Sequence, residues 1–344
     1  MRGQLRVAQD VSQQLFVLAE TTDDAAVLLA AHNTTGMALF YGGEFVAALA
    51  HFEQAATIYD PERHSPNRLR TFSVDHDPGV SCAAHTALTL MMLGYQDRAA
   101  ERMRACLDYA HAIDHPLSLA MACNFAATFH QFRREPHVVQ ELEDVRLEQS
   151  KKHDFDLFLL LGQIYRGWLL AEQGHGEEAA AQIHHGLAVY QAIGAELGRP
   201  TFLGILADVC DRLDRPQEAL SVIAEAIDLA EHTGLHYWDA ELRRLKGTFM
   251  LHSAREPGHG SAESDAESCF LDAIEIARRQ EARSLVLRAS MSLSRLWQRQ
   301  RKIEQARALL SEAYRWFTEG FETPDLIDAK ALLEELDGTT RRRP

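Results

Sequence analysis

Two columns of small residues run through the apolar pattern of this chain in a shared register. The first falls at Ala8, Ala48, Ala99, Val139, Ala179, Ala219, Ala266 and Ala306, spaced by 40 residues except for steps of 51 and 47. The second lies twelve residues upstream, at Gly36, Ala87, Ala127, Gly167, Ala207 and Ser294, and at Gly247 once a seven-residue insertion is removed. Apolar neighbours sit three and four positions from each small residue, the spacing of one helix face. Over 157–174, for example, Leu160, Ile164, Gly167, Trp168, Leu170 and Ala171 mark such a face. A small residue at its centre lets a second helix approach closely. The unit is therefore a helix A, a turn and a helix B, used repeatedly, and the chain is predicted to be an all-α solenoid.

Breaker residues punctuate the units: Gly42-Gly43, Gly94, Gly174-His175-Gly176 and Asp214-Arg215-Pro216. Pro136 and Pro216 open B helices, where a missing N–H costs little. The pattern predicts seven pairs, at about 23–59, 76–113, 116–152, 155–194, 199–234, 237–281 and 284–318. In domain terms, 1–22 is a half repeat, an unpaired helix B, and 23–320 holds the seven pairs with inserts at 60–75 and 253–262. Residues 321–338 form a capping helix, with Thr323 as its cap, Pro324 at its start and Leu326, Ile327, Ala329, Leu332 and Leu333 on its apolar face. Residues 339–344 are expected to be a disordered basic tail.

Two departures from the pattern stand out. The lone first helix leaves Leu5, Val11, Leu15 and Leu18 partly wet, so self-association through residues 3–20 is a reading of that face. The third pair places Glu143 and Arg146 where its neighbours carry Ile or Phe and Ala, which predicts looser packing there or a bound partner.

Composition changes this picture little. The chain has 344 residues, 46% apolar and 25% charged, ordinary values for a packed fold. Its formal charge of −15 argues against a general nucleic-acid or anionic-membrane binder. No apolar run approaches the roughly 20 residues of a membrane helix. Arg2, Arg6, Asp10 and Glu20 interrupt any signal-peptide core. The five cysteines are scattered without a CxxC, which fits reduced thiols in a cytoplasm.

Candidate chemistry is sparse. His111 and His115 are four apart, but Pro116 follows at once, so they read as a solvated helix end and not a metal site. His184 and His185 are adjacent and point apart. Asp23-Asp24 and Glu177-Glu178 suit helix starts. The run from His130 to Glu135 (HQFRRE) ends a helix A, where its basic residues suit the helix dipole; the sharper reading is an anion or acidic-peptide contact. No nucleophile motif and no phosphate-cradling G-x-x-x-x-G-K-[ST] occurs, so no catalytic residue, metal or cofactor is expected.

The columns match the tetratricopeptide-repeat family in a form of about 40 residues. The stretches 36–45 (GMALFYGGEF), 77–80 (DPGV), 93–95 (LGY), 130–135 (HQFRRE), 167–174 (GWLLAEQG), 240–247 (AELRRLKG) and 316–326 (WFTEGFETPDL) sharpen the match. They resemble the C-terminal repeat region of bacterial signalling proteins that carry a class III adenylate/guanylate cyclase domain and a P-loop ATPase. The resemblance spans roughly 5–338; neither the cyclase nor the ATPase domain is present. It implies a right-handed superhelix of about seven pairs that serves as a sensor or partner-docking arm. The related maltose-regulon activator uses a similar superhelix to bind a sugar.

In this architecture helix A lines the concave groove at positions three before and one, four or five after the small column. Those positions give Asn33, Met37, Phe40, Met91, Met92, Asn124, Gln131, Trp168, Asp208, Asp211, Arg244 and Arg295. The groove is thus expected to be apolar early and charged late. Asn33 and Asn124 can hydrogen-bond a peptide backbone. Arg244 and Arg295 can hold a carboxylate or phosphate by two bonds, or pair instead with Glu241 and Asp208. The expected function is a non-catalytic, cytoplasmic interaction scaffold for a protein or peptide partner, in bacterial signalling or transcriptional control. The alternative is a sensor for a small-molecule effector, a sugar or nucleotide, that regulates an attached or partner ATPase or cyclase.

Overall fold

The computed structural model describes residues 5–64, 76–254 and 260–341. Among them every regular element is helical. Helix α1 (Leu5–Thr22) is followed by α2 (Ala25–Gly42), α3 (Phe45–Ile58) and the single turn α4 (Pro61–His64). Then come α5 (Pro78–Leu93), α6 (Gln96–Ala112), α7 (Pro116–Phe132), α8 (Pro136–His153), α9 (Asp156–Glu172) and α10 (Gly176–Ala192). The chain continues through α11 (Arg199–Arg212), α12 (Pro216–Thr233), a 3-10 turn at His236–Trp238, and α13 (Asp239–Ser253). Helices α14 (Gly260–Arg279), α15 (Arg283–Arg299), α16 (Ile303–Arg315) and α17 (Pro324–Arg341) complete it. The insert expected at 60–75 holds α4 at its start, and 65–75 lie outside the described residues, as do 255–259 of the second insert. The tail expected from 339 is helical as far as Arg341, the end of α17.

The two small columns explain how the helices pair. Sixteen residues after the small residue of helix A, or twenty-three after Gly247 across the insertion, comes the matching residue of helix B, and at the glycines it packs directly onto the column. A Cβ added at Gly36 would lie 2.6 Å from the Phe52 ring, and one at Gly247 would lie 2.8 Å from Phe270. Gly167 meets Ile183 in the same way. Where the small residue is alanine, Ala87 and Ala207 are fully buried, as are their counterparts Met103 and Ile223. Turns repeat too. Gly43, Gly94 and Gly174 take left-handed backbone angles between helices A and B, and Arg134, Asp214 and Arg301 do so at the same position of other pairs. A non-glycine residue there adds a small conformational cost at each site, one that packing on both sides of the turn offsets.

The helices form two compact units. The first holds α1 to α10 together with the connecting segment Thr233–Tyr237; the second holds α11 to α17 and the turn Met92–Asp97. In the first, α1 turns Ser12 and Ala19 inward and leaves Val7, Val11, Val17 and Leu18 exposed, with Leu5 and Leu15 half-buried. In the second, α17 lays Leu326, Ala329, Leu332 and Leu336 against Leu310 and Phe317, while Ile327 faces outward. The turn Met92–Asp97 is held there by specific bonds: the Gln96 amide donates to Ser284 Oγ at 2.8 Å, and Gly320 N donates to Asp97 Oδ2 at 2.9 Å. All five cysteines are free, and burial pushes the Cys106 and Cys123 thiols up to about 12. No helix among the described residues is long and apolar enough to cross a membrane.

Candidate functional site

The helix A positions separate into three kinds of environment. Asn33, Phe40, Met91 and Trp168 are buried, as is Met92 in the second unit. Met37, Asn124, Gln131, Asp208, Asp211 and Arg244 are half-buried, and Arg295 is exposed.

Phe40 owes its burial to its own chain. Its ring contacts Phe45 and His85, and Tyr237 of the Thr233–Tyr237 segment lies 5.7 Å away; Tyr41 meets Tyr237 edge-on at 5.2 Å. The apolar early part of the expected groove is thus covered by an internal segment. Beside these rings His85 Nδ1–H donates to the Ser81 carbonyl, 2.8 Å away. Burial lowers the His85 imidazole to about 4, so it is neutral near pH 7.

Polar members of the set differ in how they are satisfied. Asn33 Oδ1 is buried without a hydrogen-bond partner. In the second unit Arg244 is committed: its Nε and Nη2 donate to the two carboxylate oxygens of Glu241 at 2.9 and 2.8 Å. Arg288 adds a contact to Glu241 at 3.4 Å and donates through Nε to Asp325 at 2.6 Å. Burial alone would raise the Glu241 carboxyl; the two guanidinium groups reverse this and hold it at about 2. Asp208 pairs with Arg212 at 2.8 Å, and Asp211 with His252 at 2.7 Å. The run at 130–135 closes on itself as well. His130 and Arg133 both bind Glu135, and together they depress its carboxyl against the opposing effect of burial.

The third pair, α7/α8, is built differently from the rest. Glu143 takes the place of the large apolar residue, sixteen after Ala127; Arg146 takes the place of Ala226 and Ala273. Both side chains are 1% exposed and form an ion pair. Arg146 also donates to Asn124 Oδ1 at 3.4 Å and lies over the Tyr165 ring at 5.9 Å. The pair is incompletely satisfied: Glu143 Oε1, Arg146 Nε and the neighbouring Ser150 Oγ are buried without partners. Burial raises the Glu143 carboxyl despite the opposing pull of Arg146. Space for the guanidinium comes from α9, where a Cβ on Gly162 would lie 2.7 Å from Arg146 Nη2. Sequence reasoning singles out Glu143 and Arg146 as a break in the columns. It does not find Gly162, because the position five before the small column varies freely: Ala31, Cys82, Ala122, Phe202 and Leu242 stand there in other units.

No family model matches the chain. An uncharacterized protein of Rhizobium meliloti (strain 1021) is 27% identical over 245 residues, 70% of this chain and 22% of that protein, so the chain corresponds to less than a quarter of the relative's length. Among solved structures, a Rap protein complexed with Competence and Sporulation Factor superposes with a TM-score of 0.57 at 12% identity, over 92% of this chain and 80% of that one. Aspartyl phosphate phosphatase F from Bacillus subtilis gives 0.50 at 10% identity, over 87% and 73%. A signal transduction ATPase with numerous domains from Pyrococcus horikoshii, which carries a tetratricopeptide repeat sensor, gives 0.49 at 10% identity, over 98% and 50%. With its paired helices, its 40-residue columns and the likeness to the Rap protein, the chain has the all-α tetratricopeptide-repeat fold.

Proposed function

We propose that the chain is a non-catalytic interaction module whose helix A faces hold an extended peptide or a segment of a partner protein. The observation that carries this reading is a recurrence. Asn33 of α2 and Asn124 of α7 stand at the same position, three before the small residue, and Asn33 Oδ1 lacks any partner within the chain. A buried amide oxygen without a donor is costly, and a peptide N–H supplies one without selecting a sequence. Gln131, half-buried one turn after Ala127, extends the same face. A Rap protein of similar fold is complexed with Competence and Sporulation Factor, which supports a fold suited to holding a signalling factor. The resemblance of the quoted stretches to cyclase- and ATPase-linked repeats supports a regulatory arm in bacterial signalling or transcriptional control. The net charge of −15 disfavours nucleic acid as the partner.

The test is a displayed peptide library panned against the full chain, with selected peptides measured by fluorescence anisotropy against the wild type and an Asn33→Ala/Gln131→Ala variant. Selected peptides should bind the variant about tenfold more weakly, the worth of one or two lost buried hydrogen bonds. Equal binding to both proteins would remove the helix A faces from the account. The exposed face of α1 is the place for self-association; sedimentation showing only monomer at high concentration would dismiss that part.

A further inference from the structure

We propose that the cleft between α8 and α9 is a binding site for a small anionic metabolite, one carrying a carboxylate or phosphate beside a hydroxyl or amine. This goes beyond peptide docking on the helix A faces and stands or falls separately from it.

The cleft has a volume of about 320 Å³, the small end of the range for ligand sites. Its charged lining is Glu143, Arg146, Lys151 and Arg166. Glu143 and Arg146 balance one another, so the other two leave the site cationic within a chain of charge −15. Arg166 is only loosely held, by Asp144 at 3.8 Å with Asp144 itself largely exposed. Positive walls around an enclosed space concentrate an anion far more than the same charges spread over an open surface.

The inner wall specifies more than charge. Arg146 Nε is a donor without an acceptor, and Glu143 Oε1 is an acceptor without a donor, in side chains that are 1% exposed. Leaving two such atoms unmet is expensive, and a ligand with an anionic oxygen next to an O–H or N–H meets both. Gln163 adds an amide to the lining, while Leu147, Phe158 and Leu159 supply an apolar side that fits a short carbon skeleton. The departures that create the site are complementary. An arginine on α8 replaces a small residue, and a glycine on α9 removes the Cβ it would strike.

The experiment is calorimetric titration of the full chain at fixed ionic strength with four probes: inorganic phosphate, L-malate, glycerol 3-phosphate and, as the neutral control, glycerol. Each is repeated on Lys151→Ala/Arg166→Ala, whose side chains reach solvent, with circular dichroism to confirm the fold. At least one hydroxylated anion should bind more tightly than phosphate, glycerol should not bind, and the double variant should lose about tenfold or more in affinity, as expected for lost charge-assisted bonds. Three results would overturn the proposal: no anion binding to the wild type, equal affinity in the double variant, or the same weak response to every anion. A Gln163→Ala variant keeps the charges and separates shape from electrostatics; unchanged selectivity among the anions there would reject the assignment of a defined ligand.

Discussion

Glu143 and Glu241 are both buried glutamates three residues before an arginine, and their surroundings move them in opposite directions. Glu241 is gripped at both oxygens by Arg244 and touched by Arg288, and its carboxyl sits at about 2. Glu143 is bonded by one arginine, keeps one oxygen unpaired, and its carboxyl is raised. The comparison teaches that burial of a charge says nothing about its purpose until the donors are counted. A satisfied network such as that of Glu241 ties α13 to α15 and, through Asp325, to α17. An unsatisfied pair is a standing cost that an alternative packing or a ligand removes.

The largest effect should come from taking away the arginine that is bonded to Glu143. Arg146→Ala is expected to lower stability by about 3–5 kcal/mol, the cost of stranding one member of a buried ion pair. Arg244→Ala should cost less, because Arg288 remains beside Glu241. Thermal unfolding of the two variants checks the order, and a larger loss in Arg244→Ala would break the comparison.

Acid separates the two glutamates next. Because the Glu241 carboxyl is lowered from its ordinary value near 4.5 to about 2, its stabilisation is complete above pH 4.5 and is lost as pH falls toward 2, to the extent of about 3 kcal/mol. The raised carboxyl of Glu143 has the opposite sign: it favours the fold below its unfolded value and gives that up as pH rises. Glu241→Gln should therefore flatten the acid limb of the stability curve, and Glu143→Gln should not. His85 acts in a higher window. Its imidazole is lowered to about 4, so stability falls as pH drops from 6.5 toward 4, and His85→Phe should remove that part of the slope.

A smaller effect tests the packing columns that the third pair departs from. Gly36→Ala drives a methyl to within 2.6 Å of Phe52 and should cost about 1–3 kcal/mol by overpacking. Gly42→Ala meets nothing within 4 Å and should be neutral or slightly stabilising, by about 0.5 kcal/mol, through helix propensity. Equal effects from the two substitutions would deny the close approach at the small column its role.

What was legible in the sequence follows from the range of the interactions. The helix pairs are written locally, because a small residue and its partner sixteen positions on belong to one hairpin, as Gly36 and Phe52 do. Glu143 and Arg146 were visible for the same reason, as charges in apolar columns. Covering of Phe40 by Tyr237 was not, since 197 residues separate them and no periodicity links them. The role of Gly162 was hidden because its column carries residues as different as Cys82 and Phe202. Of the helix A positions, Arg244 could be read either way from its spacing to Glu241, and the geometry commits it to that carboxylate.

The central claim is that the third pair gives up stability to keep a polar cleft. It is tested most directly by restoring the pattern of the other pairs there. The variant Glu143→Ile/Arg146→Ala carries the residue types found at Ile223 and Ala226. Its unfolding free energy in urea, compared with the wild type at pH 7 without added anions, should rise by about 1–3 kcal/mol, as expected when a buried ion pair yields to apolar packing. A loss of stability of the same size would show that the pair holds α7, α8 and α9 together in its own right, and would contradict the account.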